Sequence, residues 1–417
     1  MANKRKRKLR KEIKYALIGI TIILIPLVMI FGTKYMRFMG DKSLNENAKK
    51  LVNNHCLAFY PKDGGNIAKN YAKKICEGIE DNSKFDYTMS ELGDYYLIDY
   101  GSDKAYLLDK EMNEPKISTV SQKGKMMISD YLRYTMKSKG LDYAYTLNFL
   151  EKSYYENIKD DEYTMSIDGK NLLCHFNEYE VDVKIPLKYI GPEVGINIGS
   201  NENYIKPTYV DPERKAVALT FDDGPSLDEE CTSKIINTLY RYDANASFYV
   251  LGSRLYEKTQ GIIGDGILKG NEYGSHSCSH TDLRKLPKNE IYSEVMDVAV
   301  WLKDNFNYDM TTYRPPYGKY NALVDETVPV AAVFWNIDSN DWSYRDASKI
   351  YDEVKNNVFD RSVIIFHDIY STTAQALDDL KLVEYLIDEG YQLITVDEMA
   401  KLRGVELKQG THLCWGD

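Results

Sequence analysis

From Lys215 onward the sequence alternates short apolar runs with amphipathic stretches, and this alternation constrains the fold more than any other feature. Strands are predicted at Ala216–Phe221, Ala246–Leu251, Tyr273–Ser275, Ala331–Ile337, Val363–His367 and Tyr391–Thr395. Helices are predicted near Leu227–Tyr242 and over Asn289–Asn305, Ala347–Asn357 and Thr373–Glu389. A βα repeat of this kind makes a mostly parallel sheet or barrel. Asp222, Asp223, His276, Arg314, Asp338 and His367 all fall at or just past the C-terminal end of a predicted strand. In a (β/α) barrel those ends converge on one face, and that face carries the active site.

The front of the chain is different. Residues 1–14 carry eight Lys/Arg, and residues 15–33 then run nineteen positions without a charge. A helix of that length spans roughly 28 Å, close to a bilayer's hydrocarbon core. Pro26 interrupts it, which a membrane helix tolerates. Lys34 and Arg37 close it, and the excess of basic residues before it puts the N-terminus in the cytoplasm. A cleaved signal peptide would have a shorter apolar region and an A-x-A-like site, and none follows. The reading is a cytoplasmic tail (1–14), a single transmembrane anchor (15–33) and a stalk (34–65), with everything after Lys34 outside the cell.

Charge follows this division. The formal net charge of the 417 residues is −10, yet residues 1–37 carry ten Lys/Arg against one acid. The remaining 380 residues hold 43 basic and 62 acidic side chains, a charge of −19. An acidic external body excludes nucleic acid as a partner.

Residues 66–205 read as a small α+β accessory domain. A helix begins near Asn66, another lies around Thr119–Met136, and hairpins are predicted around Gly101-Ser102-Asp103 and Asp168-Gly169. The segment Glu180–Leu187 alternates with Val181, Val183 and Ile185 on one face. His175 stands alone there and reads as structural. The six cysteines form no metal-binding pattern. An extracellular body permits disulfides, and Cys56–Cys76 is the pair to test first.

Five short runs in the second half carry chemistry. Asp222-Asp223-Gly224-Pro225 follows an apolar strand, and two adjacent acids ionise together only beside a cation. His276 and His280 are spaced i and i+4, so on a helical turn they share one side and can chelate a metal. With Asp223 they make two imidazoles and one carboxylate, a set that leaves positions open for catalysis. Cys278 between them points elsewhere. Arg314-Pro315-Pro316-Tyr317-Gly318 fixes a loop path, with Arg314 able to grip a carboxylate. Asp338-Ser339-Asn340-Asp341-Trp342 follows a strand. Ile365-Phe366-His367 ends one, and its histidine can exchange protons near neutral pH. Each run alone is as readily a turn cap or a structural contact. Their joint occurrence at strand ends of one βα domain is not.

Taken in order, Thr220–Pro225, His276–His280, Arg314–Gly318, Asp338–Trp342 and Ile365–His367 resemble the five motifs of the polysaccharide deacetylases, the NodB-homology domain of carbohydrate esterase family 4. The resemblance covers residues 211–405. Ile365 stands where the family usually has Leu. The resemblance implies a distorted (β/α) barrel with fewer than eight strands. It implies Asp222 as general base, Asp223, His276 and His280 as metal ligands, and Arg314 as the residue positioning the base. It implies His367 as general acid tuned by Asp341, the Tyr317 amide as oxyanion donor, and Trp342 and Ile365 as walls of the acetyl pocket. The implied cofactor is a divalent metal, Zn2+ first, with Co2+ or Ni2+ also compatible with the donor set. The layout is similar to that of membrane-anchored peptidoglycan N-acetylglucosamine deacetylases, so cell-wall glycan is the expected substrate. The alternatives are deacetylation of poly-N-acetylglucosamine, chitin oligomers or acetylxylan, and an inactive glycan-binding protein, which would lack a ligand or base.

Overall fold

The computed structural model describes residues 48–53, 56–77, 83–100, 105–141, 147–199, 202–228 and 231–414. The basic tail, the anchor over 15–33 and the stalk as far as residue 47 lie outside these. Among the described residues no helix is long and apolar enough to cross a membrane. The described residues fall into two compact units. The first draws on Met1–Ser118, Ser166–Leu172 and Pro186–Ser200, the second on Thr119–Met165, Leu173–Ile185 and Asn201–Asp417.

In the first unit, β1 (Ala48–Asn53) pairs antiparallel with β2 (Cys56–Pro61), which pairs parallel with β3 (Ser83–Asp86). Helix Gly65–Glu77 repeats small residues every fourth position, and Ala68, Ala72 and Cys76 are its buried face. A disulfide joins Cys56 at the start of β2 to Cys76 at the end of this helix. Strands β4 (Thr88–Leu92), β5 (Tyr95–Asp99) and β6 (Ala105–Asp109) form an antiparallel meander. The Gly101-Ser102-Asp103 turn between β5 and β6 lies outside the described residues.

A third small sheet runs β7 (Tyr163–Asp168), β8 (Asn171–Phe176), β9 (Val181–Pro186). Leu172, Cys174 and Phe176 on β8 are buried, as are Val181, Val183 and Ile185 on β9, as their alternation predicts. His175, between two of these buried positions, turns outward onto Asp182 at 2.8 Å.

Helix Gln122–Ser138 is capped by Ser121, whose Oγ accepts from the Gly124 amide at 3.0 Å. It belongs to the second unit. It buries Met127, Ile128, Leu132 and Met136, and its buried charges are all partnered within that unit. Arg133 is fully buried and donates to the carbonyls of Tyr240 at 2.8 Å and Leu150 at 2.7 Å. The hydroxyls of Tyr240 and Tyr204 donate to buried Asp130 at 2.7 and 2.8 Å. Lys137 and Lys206 both pair with Asp243. Buried charges need such partners, so the helix is held by the elements around it. The expected accessory stretch, 66–205, is thus shared between the two units.

The main sheet is built from β10 (Ala216–Asp222), β11 (Ser247–Val250), β12 (Glu272–Ser275), β13 (Thr312–Tyr313), β14 (Ala331–Val333), β15 (Ile337–Asp338), β16 (Ser362–His367), β17 (Gln392–Leu393) and β18 (His412–Leu413). Its order is β15-β16-β10-β11-β12-β13-β14-β18, with β17 also on β10, and every pair is parallel. This is an α/β half-barrel. The expectation of fewer than eight strands is corrected to nine strand segments among the described residues, four of them two residues long. All seven residues of β10 are buried, as a parallel strand covered on both faces requires. Phe221 stacks on Phe248 and Phe366 at 4.9 and 5.5 Å.

Two other expectations are corrected. The strand expected over Ala331–Ile337 breaks after Val333, because β14 and β15 belong to opposite parts of the sheet: β14 pairs with β13 and β18, β15 with β16. The helix expected over Thr373–Glu389 divides into Ser371–Leu377 and Leu382–Asp388, with Lys381 between them in the left-handed region at φ 60°.

Candidate active site

Strand β10 delivers Asp222 to the end of the sheet, in register with Tyr249 of β11 and His367 of β16. Asp222 is 1% exposed. Arg314, also buried, donates from Nη1 to Asp222 Oδ1 at 2.7 Å. Its Nε and Nη2 donate to the carbonyls of Val333 and Phe334, both at 3.1 Å. These carbonyls are available because β14 ends there. Burial pushes the Asp222 carboxyl up, but Arg314, with His276 and His367 behind it, more than offsets this and holds it below the usual carboxylate range. The site therefore keeps an ionised carboxylate, with Oδ2 3.6 Å from His276 Nε2.

Asp223 turns away from its neighbour because its backbone is left-handed, at φ 73°. Its Oδ1 lies 3.7 Å from His276 Nε2 and 3.6 Å from His280 Nε2. These separations are too long for hydrogen bonds. Yet two ligands each about 2.1 Å from one tetrahedral cation stand roughly 3.4 Å apart. Asp223 Oδ1 is buried and has no hydrogen-bond partner, which is costly unless something else satisfies it. His276 Nδ1 sits 2.8 Å from the Arg314 carbonyl, an arrangement that leaves Nε2 bare and aimed inward. Burial, and then His276, hold His280 below the usual imidazole value, in the neutral form a cation needs. Asp223, His276 and His280 are the one group of metal-capable side chains found together among the described residues. The three residues fit a divalent cation.

The helical turn expected for His276–His280 is corrected to a loop. Ser277 and His280 lie in the left-handed region, at φ 67° and 59°, so the two imidazoles converge by loop geometry. Cys278 does not join them; its Sγ lies 3.8 Å from the Ser293 carbonyl.

His367 ends β16. Its Nδ1 is 2.8 Å from Asp341 Oδ1, and its amide donates to Asp341 Oδ2 at 2.7 Å. Asp341 is fully buried and takes a third bond from Thr373 Oγ1 at 2.7 Å. Burial pulls the imidazole down, but the hydrogen bond and charge of Asp341, aided by Asp222 and Asp223, override it and raise His367 to about 9. His367 is a cation at neutral pH with its Nε2 proton free to give.

Tyr317 has a left-handed backbone, at φ 62°, and its ring meets His280 edge-on at 4.5 Å. Trp342 is 53% exposed, with Nε1 3.5 Å from Asp338 Oδ2. Ile365 is buried in β16, in register with Thr220 on one side and Asp338 on the other. Asp338 accepts from the Asn340 amide at 2.8 Å and so shapes its own loop.

Sequence reasoning missed three contributors. Thr373 fixes Asp341. Asp368 packs so closely on Gly224 that a Cβ there would overlap its carboxylate, and it accepts from Thr232 Oγ1 at 2.6 Å. Glu294, on helix Lys288–Phe306, accepts from the amides of Cys278 and Ser279. Of the three only Asp368 left a signal, as the acid directly following His367.

The geometry defines a class: a half-barrel hydrolase site with an ionised carboxylate, a three-ligand cation site and a carboxylate-tuned imidazolium at the ends of parallel strands. Residues 209–332 match the family described as Polysaccharide deacetylase, and the chain belongs to that family. The chain is 33% identical over 261 residues to the peptidoglycan-N-acetylmuramic acid deacetylase PdaC of Bacillus subtilis, covering 59% of this chain and 55% of the relative. It is 34% identical over 223 residues to the peptidoglycan-N-acetylglucosamine deacetylase PgdA of Listeria monocytogenes, covering 52% and 46%. The chain spans about half the length of these curated relatives. Among solved structures, PdaC aligns at 36% identity with a TM-score of 0.44, over 47% of this chain and 94% of that one.

Proposed function

We propose that this protein hydrolyses N-acetyl groups on cell-envelope glycan, foremost the N-acetylated sugars of peptidoglycan. The observation that carries the reading is the convergence of Asp223, His276 and His280 beside ionised Asp222 and protonated His367. Peptidoglycan relatives named for N-acetylmuramic acid and for N-acetylglucosamine both support the polymer. The expected sugar is N-acetylglucosamine. The basic head and the apolar run over 15–33 support an external catalytic domain tethered to the membrane.

Asp223, His276 and His280 would hold a divalent cation, with Zn2+ matching two imidazoles and one carboxylate. Such a cation supplies Lewis acidity to oxygens within its reach. Asp222, kept ionised by Arg314, takes a proton from the attacking water through its free oxygen. The water oxygen bonds to the acetamide carbon, and the Tyr317 amide donates to the carbonyl oxygen as charge builds there. Trp342 and Ile365 wall the acetyl methyl. His367, aimed by Asp341, gives its proton to the nitrogen as the C–N bond breaks, because an unprotonated amine is a poor leaving group. Acetate and a free amino sugar result.

The test is acetate release from purified peptidoglycan, chitin oligomers and acetylated xylan side by side, with mass analysis of the muropeptides. The reading requires release from peptidoglycan, lost with a chelator and restored by Zn2+. The His276→Ala protein should lose metal and activity together. No acetate from peptidoglycan would overturn it.

A further inference from the structure

The two imidazoles of the cation site come from one loop, and the loop's shape is not self-sustaining. Ser277 and His280 both hold left-handed backbones, a conformation that persists only where surroundings impose it. One side of the loop is pinned by the single helical turn Gly252–Arg254 that follows β11: the amides of Gly252 and Ser253 donate to the carbonyls of Ser277 and Cys278 at 3.0 and 2.8 Å. Internally, the His280 amide donates to Ser277 Oγ at 2.9 Å. The tip is closed from outside by one side chain. Glu294 Oε2 accepts from the Cys278 amide at 3.0 Å and the Ser279 amide at 2.9 Å, and Oε1 accepts from Ser279 Oγ at 2.8 Å. Successive amides pointing into one concavity make a natural anion seat. The carboxylate itself is fixed, because helix Lys288–Phe306 buries Ile291, Val295, Val298 and Leu302 in the core.

We propose that Glu294 is a positioning residue for the cation site. By bridging two consecutive amides it sets the loop curvature that brings His276 and His280 Nε2 onto Asp223. It touches neither the cation nor the glycan. The role rests on the metal-site reading above.

The test separates geometry from charge, using Zn2+ affinity of the full chain by chelator competition. Glu294→Asp keeps the charge but is one methylene too short to bring a carboxylate oxygen to the two amides. Glu294→Gln loses the charge but keeps an oxygen for the amides and an NH2 that can donate to Ser279 Oγ. Removing a support of this kind lowers metal affinity by about 10- to 100-fold, and that loss is expected for Glu294→Asp. Glu294→Gln should lose less than about tenfold against the parent. At saturating Zn2+ the KM for glycan should be unchanged in both. Affinities are read at a temperature where circular dichroism shows each protein folded. If both variants bind Zn2+ like the parent, or if Glu294→Gln is as weak as Glu294→Asp, the proposal is overturned. A parent that binds no Zn2+ would instead sink the metal-site reading itself.

Discussion

At the residue scale, the site works by pushing neighbouring groups in opposite directions. Asp222 and His367 sit side by side in register, one held below its usual range and the other raised to about 9. The raised value fixes a sign. As the proposed donor, His367 is charged below its folded pKa, so activity should hold through neutral pH and fall as pH rises through about 9. Asp341→Asn removes the main upward push and leaves burial, which acts downward. Its alkaline fall should therefore shift toward neutral, and kcat measured against pH would reveal it. A fall that stayed near 9 would separate His367 from the donor role. His367→Ala should lose about 10²- to 10⁴-fold in kcat and still bind Zn2+. These residue types were legible in the sequence because each falls at a strand end. The left-handed backbones at Asp223, Ser277 and Tyr317 were not, because no side-chain pattern marks them.

At the element scale, alternation was informative and contact partners were not. The βα repeat, the outward turn of His175 and the buried faces of β8 and β9 all follow from periodicity. The break between β14 and β15 does not, because it reflects which strands each half pairs with. Glu294 was equally hidden: it lies on a helix sixteen residues beyond Cys278, and amphipathicity describes only that helix's buried side. The Cys56–Cys76 bond, across a separation of 20, ties a strand to the helix behind it. Replacing both cysteines by serine should cost the first unit about 3 kcal/mol. Denaturant unfolding monitored within that unit is the check, and an unchanged midpoint would count against it.

At the scale of the whole molecule, the family motifs mark less than the part that must fold together. Residues 202–414 alone would keep Asp243 paired with Lys206 but without Lys137, and Tyr240 without Asp130. Breaking a buried pair costs about 3–5 kcal/mol. A fragment beginning at 202 is therefore expected to melt well below one beginning at 119, by thermal denaturation; equal melting temperatures would contradict the buried network. The sequence predicts a helix near Thr119–Met136, but not that Arg133 would hold it in the second unit.

The same buried arginine bears on ancestry. A gene fragment carrying only the motif-bearing portion would arrive in a new host protein with Asp243 half-matched and the carbonyl of Tyr240 stripped of its donor. Recombination would preserve function most readily when its crossover fell upstream of Thr119. The heritable module of this protein is thus longer than its catalytic signature.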